Sequence, residues 1–222
     1  MSTRVVSERL IVHIDFAAWM GGSFLKISPN SQRVAYAARV GTKQFVVMDG
    51  REERRYDGVL EGTISFSPDS QRVAYVARVG AKQLVVVDGN EEKPYDAIMP
   101  GTLRFSPDSQ RIAYVVCVGA KQLVVVDGNE ERHHDRILKG TLNFSPDSQR
   151  VAYAVHDSTK RFVVVDGKRD KQYDAIVTIG GGRISFDRAN NLRYLARKGA
   201  AIYVVEERIK GAEECTYAGA FS

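Results

Sequence analysis

Two cysteines in 222 residues exclude a disulfide framework. Neither lies in a local pairing or metal-binding pattern, so a reduced cytoplasmic setting is expected. Six prolines and 19 glycines are too few for a collagenous or low-complexity chain. No apolar run approaches the roughly 18 residues that a membrane-spanning helix needs, and no membrane insertion is expected. The most apolar N-terminal stretch, residues 10–16, carries His13 and Asp15 where a signal core would tolerate neither. It reads as a strand rather than a signal peptide. No helical period of 3.6 is present. Charge of one sign is also scarce: 32 basic against 27 acidic residues leave +5, too modest an excess to imply nucleic acid. With 44% hydrophobic and 27% charged residues, the composition is that of an ordinary globular chain with room for one large or two small domains.

What the sequence does have is a repeat. Ser67-Pro68-Asp69-Ser70-Gln71-Arg72 recurs as Ser106-Pro107-Asp108-Ser109-Gln110-Arg111 and as Ser145-Pro146-Asp147-Ser148-Gln149-Arg150. An earlier copy is Ser28-Pro29-Asn30-Ser31-Gln32-Arg33, and the spacing is 39 residues each time. A worn fifth copy, from Phe186 to Tyr194, lacks the proline. Each unit reads as four strands. Gly62-Thr63-Ile64-Ser65-Phe66 alternates in character, and Ser-Pro-Asp-Ser makes a turn. Val73-Ala74-Tyr75-Val76-Ala77 follows. Leu84-Val85-Val86-Val87 is apolar throughout, hence covered on both faces. Asp88-Gly89 then turns the chain, and a fourth strand begins near Tyr95-Asp96-Ala97-Ile98. A small residue opens each inner strand (Ser23, Gly62, Gly101, Gly140, Gly182), as crowding near a common axis would require.

Four strands in about 40 residues, repeated, make a propeller blade. The Phe-Ser-Pro-Asp turn followed by Arg-(Val/Ile)-Ala-Tyr resembles the TolB-type, WD-repeat-like propeller repeat over residues 23–205. That family's usual glycine after Pro-Asp is here Ser70, Ser109 and Ser148, a turn variant. The expected fold is all-β: a five-bladed β-propeller with four antiparallel strands per blade, in one domain over 1–222. The blades span 23–61, 62–100, 101–139, 140–181 and 182–209, with 210–222 as a tail. Asp15 precedes Ser23 by the same offset as Asp174 precedes Gly182. The N-terminal strand 10–16 is therefore expected to complete the last blade, with residues 215–218 as the competing segment.

Propeller connectivity sorts loops onto two faces. One collects Asp69, Asp108 and Asp147 with the Glu52-Glu53, Glu91-Glu92 and Glu130-Glu131 pairs. The other collects Lys43, Lys82, Lys121 and Lys160, with Arg39, Arg78 and Arg197 nearby. A basic face of this kind would capture an anionic partner. The inner strands carry Lys26, Arg104 and Arg183, which line the channel and could meet a phosphate or carboxylate. They carry no Asp or Glu, and glycoside hydrolysis needs a carboxylate pair. Asp57, Asp96, Asp135 and Asp174, grouped with Asp15, recur once per blade on separate strands. Such carboxylates bond neighbouring backbone rather than converge on calcium. His13, His133, His134 and His156 form no metal pattern, so neither metal nor cofactor is expected. Cys117 and His156 replace Arg39 and Arg78, but no group orients them as a nucleophile and base. There is no nucleophile elbow or Walker loop.

Catalysis needs one residue of each role in one place, whereas these blades are near copies. The expected function is a non-catalytic scaffold for a protein partner, engaged through the lysine-rich face. The alternative is a multivalent small-ligand or carbohydrate binder with sites between blades, for which Tyr56, Tyr95 and Tyr173 are the aromatic candidates and His134 breaks the series. A hydrolase is disfavoured. Nucleic acid is disfavoured too, because no stacking aromatics interleave with the basic loops.

Overall fold

The Ser-Pro-Asp-Ser and Asp-Gly runs turn the chain because each offers a short polar residue at positive φ. Ser70, Ser109 and Ser148 lie at 67°, 68° and 64°, and Asp88 and Asp127 at 51°. Between these turns the apolar runs pair as antiparallel strands. The computed structural model describes residues 6–178 and 183–208. The chain divides into two compact units, Met1–His133 and His134–Ser222. Among the described residues it is an all-β protein of five antiparallel sheets, here numbered 1 to 5 in chain order. Sheets 1 to 3 lie in the first unit, and sheets 4 and 5 in the second.

Sheet 3 shows the common plan. Its long strand, Ile112–Val118, pairs on one side with Lys121–Val126, which pairs in turn with the outer Asn129–Glu130. Along the other side run two short inner pieces, Ala97–Ile98 and Arg104–Phe105. Sheets 2 and 4 repeat this arrangement around Val73–Val79 and Val151–Asp157.

Side-chain alternation then builds the core. Sheet 1 presents the small Ala35, Ala37 and Val46 to the larger Tyr75, Leu84 and Val86 of sheet 2. Sheet 2 presents Ala74, Val76 and Val85 to Tyr114, Leu123 and Val125 of sheet 3. In the second unit, Ala152, Ala154 and Val163 of sheet 4 meet Leu192, Tyr194 and Ala196 of sheet 5. Small faces against large ones let twisted sheets stack without voids. Each fully buried aliphatic side chain contributes about 1.5–3 kcal/mol.

Three expectations need correction. Ala97–Ile98 is not a fourth strand of its own repeat: it pairs with Cys117 and Val116 of the following sheet. The outer line of the sheet starts earlier, at Asn90–Glu91, because the Asp88-Gly89 turn reverses the chain at once, and it reaches the expected Tyr95, which exchanges backbone bonds with Gln83 (2.8 and 2.9 Å) before the chain crosses to the next sheet.

The inner glycines do not answer crowding. A Cβ on Gly62, Gly101 or Gly140 would meet nothing within 4 Å, but all three sit at φ 69–76°. That backbone is the corner of a turn, closed by the N–H of the next threonine on the carbonyl three residues back (Thr102 to Met99, 3.3 Å). The Thr102 hydroxyl donates to the Met99 carbonyl (2.7 Å) and accepts the Val115 N–H (3.1 Å), standing in for a missing rung of the ladder.

Residues 10–16 do not form an outer strand. Asp15 instead caps a turn, its carboxylate accepting the Ala17 N–H and its carbonyl the Trp19 N–H. Sheet pairing starts only at Trp19, opposite Ala38. Val12 and Ile14 pack on Tyr36, Phe45 and Val47 of sheet 1, so burial of that face fixes the segment. Residues 215–218 lie outside the described residues.

The repeated hexapeptide fastens one sheet to the next. Ser67 Oγ donates to Asp69 (2.5 Å) and accepts the Arg72 N–H (2.9 Å), which closes the turn. The Asp69 N–H donates to Ser109 Oγ of the next repeat (3.0 Å), as the Asn30 N–H does to Ser70 Oγ (3.1 Å). The serine that replaces glycine therefore contributes a bond that glycine cannot make. Replacing Ser109 with alanine keeps the left-handed strain and loses this bond, and is expected to cost about 1–2 kcal/mol. Glycine loses the bond but removes the strain, and is expected to fall within about 0.5 kcal/mol of the parent. Urea denaturation of the two variants distinguishes them.

Candidate functional site

The lysines that the spacing singles out stand at successive hairpin tips. Each pairs across its tip with the residue that ends the long strand: Val40↔Lys43, Val79↔Lys82, Val118↔Lys121 and Asp157↔Lys160. Lys43 is bonded to Asp57 (2.6 Å) and Lys82 to Asp96 (2.5 Å). The second oxygen of each aspartate accepts the N–H of a hairpin glycine, Gly80 at 2.7 Å and Gly119 at 2.6 Å. In sheet 5 the Gly199 N–H reaches Asp174, and in sheet 4 the Ser158 N–H reaches Asp135, each at 2.6 Å. The Gly80 N–H first and Lys43 second hold the Asp57 carboxyl below its ordinary range. For Asp96 the order is Lys82, then Gly119. The recurring aspartates are thus backbone fasteners, as their separate strands imply. Asp15 bonds backbone too, but only within its own turn, at the Ala17 N–H (2.9 Å).

These pairs make the hairpin face less basic than a residue count suggests. Arg78 donates to the Asp57 carbonyl (3.3 Å). Arg39 and Lys160 form no ion pair among the described residues. Sequence inspection passed over the valines at the same tips. Val40, Val79 and Val118 remain 49%, 48% and 40% exposed. The signal was available, since a valine recurs next to the hairpin glycine at the 39-residue period.

The inner-strand cations are exposed. Lys26 borders a cavity of about 100 Å³ with Thr63, Ser65 and Met99. Arg104 is paired opposite Ala113, and Arg183 precedes the inner strand Ser185–Phe186.

Tyr56 and Tyr95, the aromatic candidates for a ligand platform, are buried at 1% and 3% exposure. Tyr56 packs edge-on against Tyr75, and Tyr173 against Tyr194. Burial, followed by the nearby Glu91 carboxylate, pushes the Tyr56 hydroxyl up to about 12. Tyr56 and Tyr95 offer no open stacking surface, whereas Tyr173 is half-buried and borders a groove with Tyr203.

Cys117 is a half-buried free thiol beside Met99 (3.6 Å) and Gln122 (3.9 Å). His156 pairs across its sheet with Arg136 and Arg161. His134 takes, in its own repeat, the position that Tyr56, Tyr95 and Tyr173 hold in theirs. Its Nδ1 lies 2.9 Å from Asp157, which also accepts from Arg169 (3.1 Å) and from the Asp135 N–H (2.8 Å). Burial works against the Asp157 charge, but the His134 bond and the Asp135 N–H outweigh it and hold the carboxyl below its ordinary range. Asp157 and Arg169 were not anticipated. They stand where sheet 2 has Val79 and Glu91, so departure from the repeat was their only signal. No group of three or more acids, histidines or cysteines is placed to hold a metal ion among the described residues. Among the described residues no helix is long and apolar enough to cross a membrane.

The sequence matches no protein-family model and no curated protein. Solved structures do resemble its fold. TolB from Acinetobacter baumannii is 14% identical at a TM-score of 0.43, over 82% of this chain and 51% of that one. A structure described as the eukaryotic initiation factor is 14% identical at 0.49, over 82% and 54%. The Dos1 propeller is 7% identical at 0.43, over 81% and 52%. The chain spans about half the length of each of these three structures.

Proposed function

We propose that the five sheets are the blades of a β-propeller in a single domain, built from TolB-like repeats, and that the protein is a non-catalytic scaffold for another protein. The observation that carries this reading is the hairpin face, where exposed Val40, Val79 and Val118 recur beside lysines already bonded to aspartates or paired across the tip. Exposed apolar side chains ringed by neutralised charges suit a protein surface better than a small anion. Arg39 keeps its charge available beside these valines and gives the face its preference for an anionic partner. The remaining repeated polar groups are spent on backbone, which suits rigidity rather than chemistry. The free Cys117 thiol is in keeping with a reducing cytoplasm.

The test is affinity capture from native lysate with the parent chain and with a Val79→Asp, Val118→Asp variant. These tips are solvent-exposed, so the melting temperature is expected to stay within about 2 °C. The captured partner is expected to be lost. A folded variant that retains the same partner at the same yield removes this reading. Adding Arg39→Glu measures the anionic preference through its salt dependence.

A further inference from the structure

Sheet 5 departs from the other four at its outer edge. In sheet 4 the strand Lys160–Val165 is covered along its outer side. Arg161 exchanges backbone bonds with Tyr173 (3.2 and 2.8 Å), the Val163 carbonyl accepts the Asp170 N–H (2.9 Å), and Lys168–Arg169 closes the hairpin. The equivalent strand of sheet 5, Ala201–Glu207, pairs with Leu192–Lys198 on its inner side and with nothing on its outer side among the described residues. By repeat position, Ile202 and Val204 stand where Arg161 and Val163 turn their backbone groups outward. Their side chains are 66% and 68% exposed, and Tyr203 is 47% exposed. A groove lined by Tyr173, Lys198, Tyr203, Val204, Val205 and Glu206 runs beside this edge.

A long, apolar, unpaired edge is a ready template for another strand, and most sheets shield theirs. The charge along it specifies what would fit. On sheets 1, 2 and 3 the outer residue at this register is Glu52, Glu91 or Glu130, and on sheet 4, opposite Val164, it is Arg169, so the sign is set by the local charges and not by the repeat. On sheet 5 the matching place is opposite Val205, on the side shared with Glu207. One Glu207 carboxylate oxygen is buried with no partner; Asp170 adds a second negative charge nearby, and the one neighbouring cation that acts on Glu207, Arg150, is already bonded to Asp166 (2.8 Å). Asp49, Asp88, Asp127 and Asp166, at the position of Glu207, each hold an arginine at 2.8 Å. Asn191 stands where that arginine would be, so Glu207 has none.

We propose that the outer edge of Ala201–Glu207 is a docking site for an extended segment of a partner protein. The segment adds as a further antiparallel strand and sets a lysine or arginine opposite Val205, beside Glu207 and Asp170. The mode is strand addition: backbone bonds supply affinity, and one basic side chain supplies selectivity. The site is independent of the hairpin face, so loss of either leaves the other standing.

The test uses the full chain and a labelled peptide of alternating threonine and valine with one central arginine, read by fluorescence anisotropy. Saturable binding is expected. A peptide with glutamate in place of the arginine is expected to bind at least about tenfold more weakly, and Glu207→Lys is expected to weaken the arginine peptide by a similar factor. Val204→Pro removes an outward N–H and leaves the inner ladder intact, so binding is expected to vanish with the melting temperature little changed. Val204→Thr is expected to bind normally. The proposal is overturned if arginine and glutamate peptides bind alike, if neither binds, or if binding survives Val204→Pro. Slow hydrogen exchange at the Val204 amide before peptide is added also overturns it, because another part of this chain or a second copy would then hold the edge.

Discussion

Replacing Arg72 with methionine is expected to lower the unfolding free energy by about 2–3 kcal/mol. The guanidinium joins two repeats. Its Nε bonds Asp88 at 2.8 Å, and its Nη1 donates to the carbonyls of Ser109 (3.1 Å) and Gln110 (2.6 Å) in the next repeat. It also covers the Phe105 ring at 5.4 Å. Methionine keeps the apolar stem but leaves the Asp88 carboxylate with only the Val73 N–H (2.8 Å) and frees both carbonyls. Lysine is not expected to rescue the variant, because a point charge cannot reproduce a fork that meets three acceptors.

Arg150 supplies the control. It holds Asp166 at 2.8 Å and makes no carbonyl clasp among the described residues. Arg150→Met is therefore expected to cost about 1 kcal/mol or less. Urea midpoints for the two variants, at equal slope, give the difference directly. Equal losses would show that the aspartate pair, not the clasp, holds the repeats together.

Asp157→Ala is expected to cost a further, separate 2–3 kcal/mol, because it strands a wholly buried His134 ring and leaves the Asp135 N–H unbonded. The larger losses seen for fully buried pairs are reduced here, since Asp157 retains some solvent contact. The pH dependence has a defined direction. The Asp157 carboxyl is held below the ordinary aspartate value of 3.8 in the folded chain, so it contributes stability above that pH. That stability is lost as the pH falls through the lower folded value. The triple variant His134→Tyr, Asp157→Val, Arg169→Glu restores the residues of sheet 2 at all three positions. It is expected to be within about 1 kcal/mol of the parent at pH 7 and to lack this acid-side loss. Denaturation of the parent, the single variant and the triple variant at pH 7 and pH 3 tests both statements. A triple variant as unstable as Asp157→Ala would show that the three residues do not act as a set.

Much of the architecture was legible because the repeat states it four times. The period of 39 residues gives the sheet count, and the uninterrupted Leu-Val-Val-Val runs give strands buried on both faces. The turn motif marks every reversal. The recurring aspartates, too, were readable as backbone partners from their separation alone.

Other features were hidden in contacts that sequence spacing does not encode. Gly101 looked like a crowding residue, and only its φ and the empty space around it show that a turn requires it. Residues 10–16 carry a strand-like pattern, but apolar alternation is satisfied equally by packing on Tyr36 and Phe45, and that is where Val12 and Ile14 lie. Lys43 and Lys82 counted as free charge until Asp57 and Asp96 were placed beside them.

By itself the sequence determined the repeat unit, its strands and its turns, because these follow from local periodicity and from residues that tolerate positive φ. Tertiary structure alone decided which sheet each inner strand joins, which lysines keep their charge, and which strand is left without a partner. Those outcomes depend on groups many residues apart meeting within about 3 Å, where hydrogen bonding and burial decide the result.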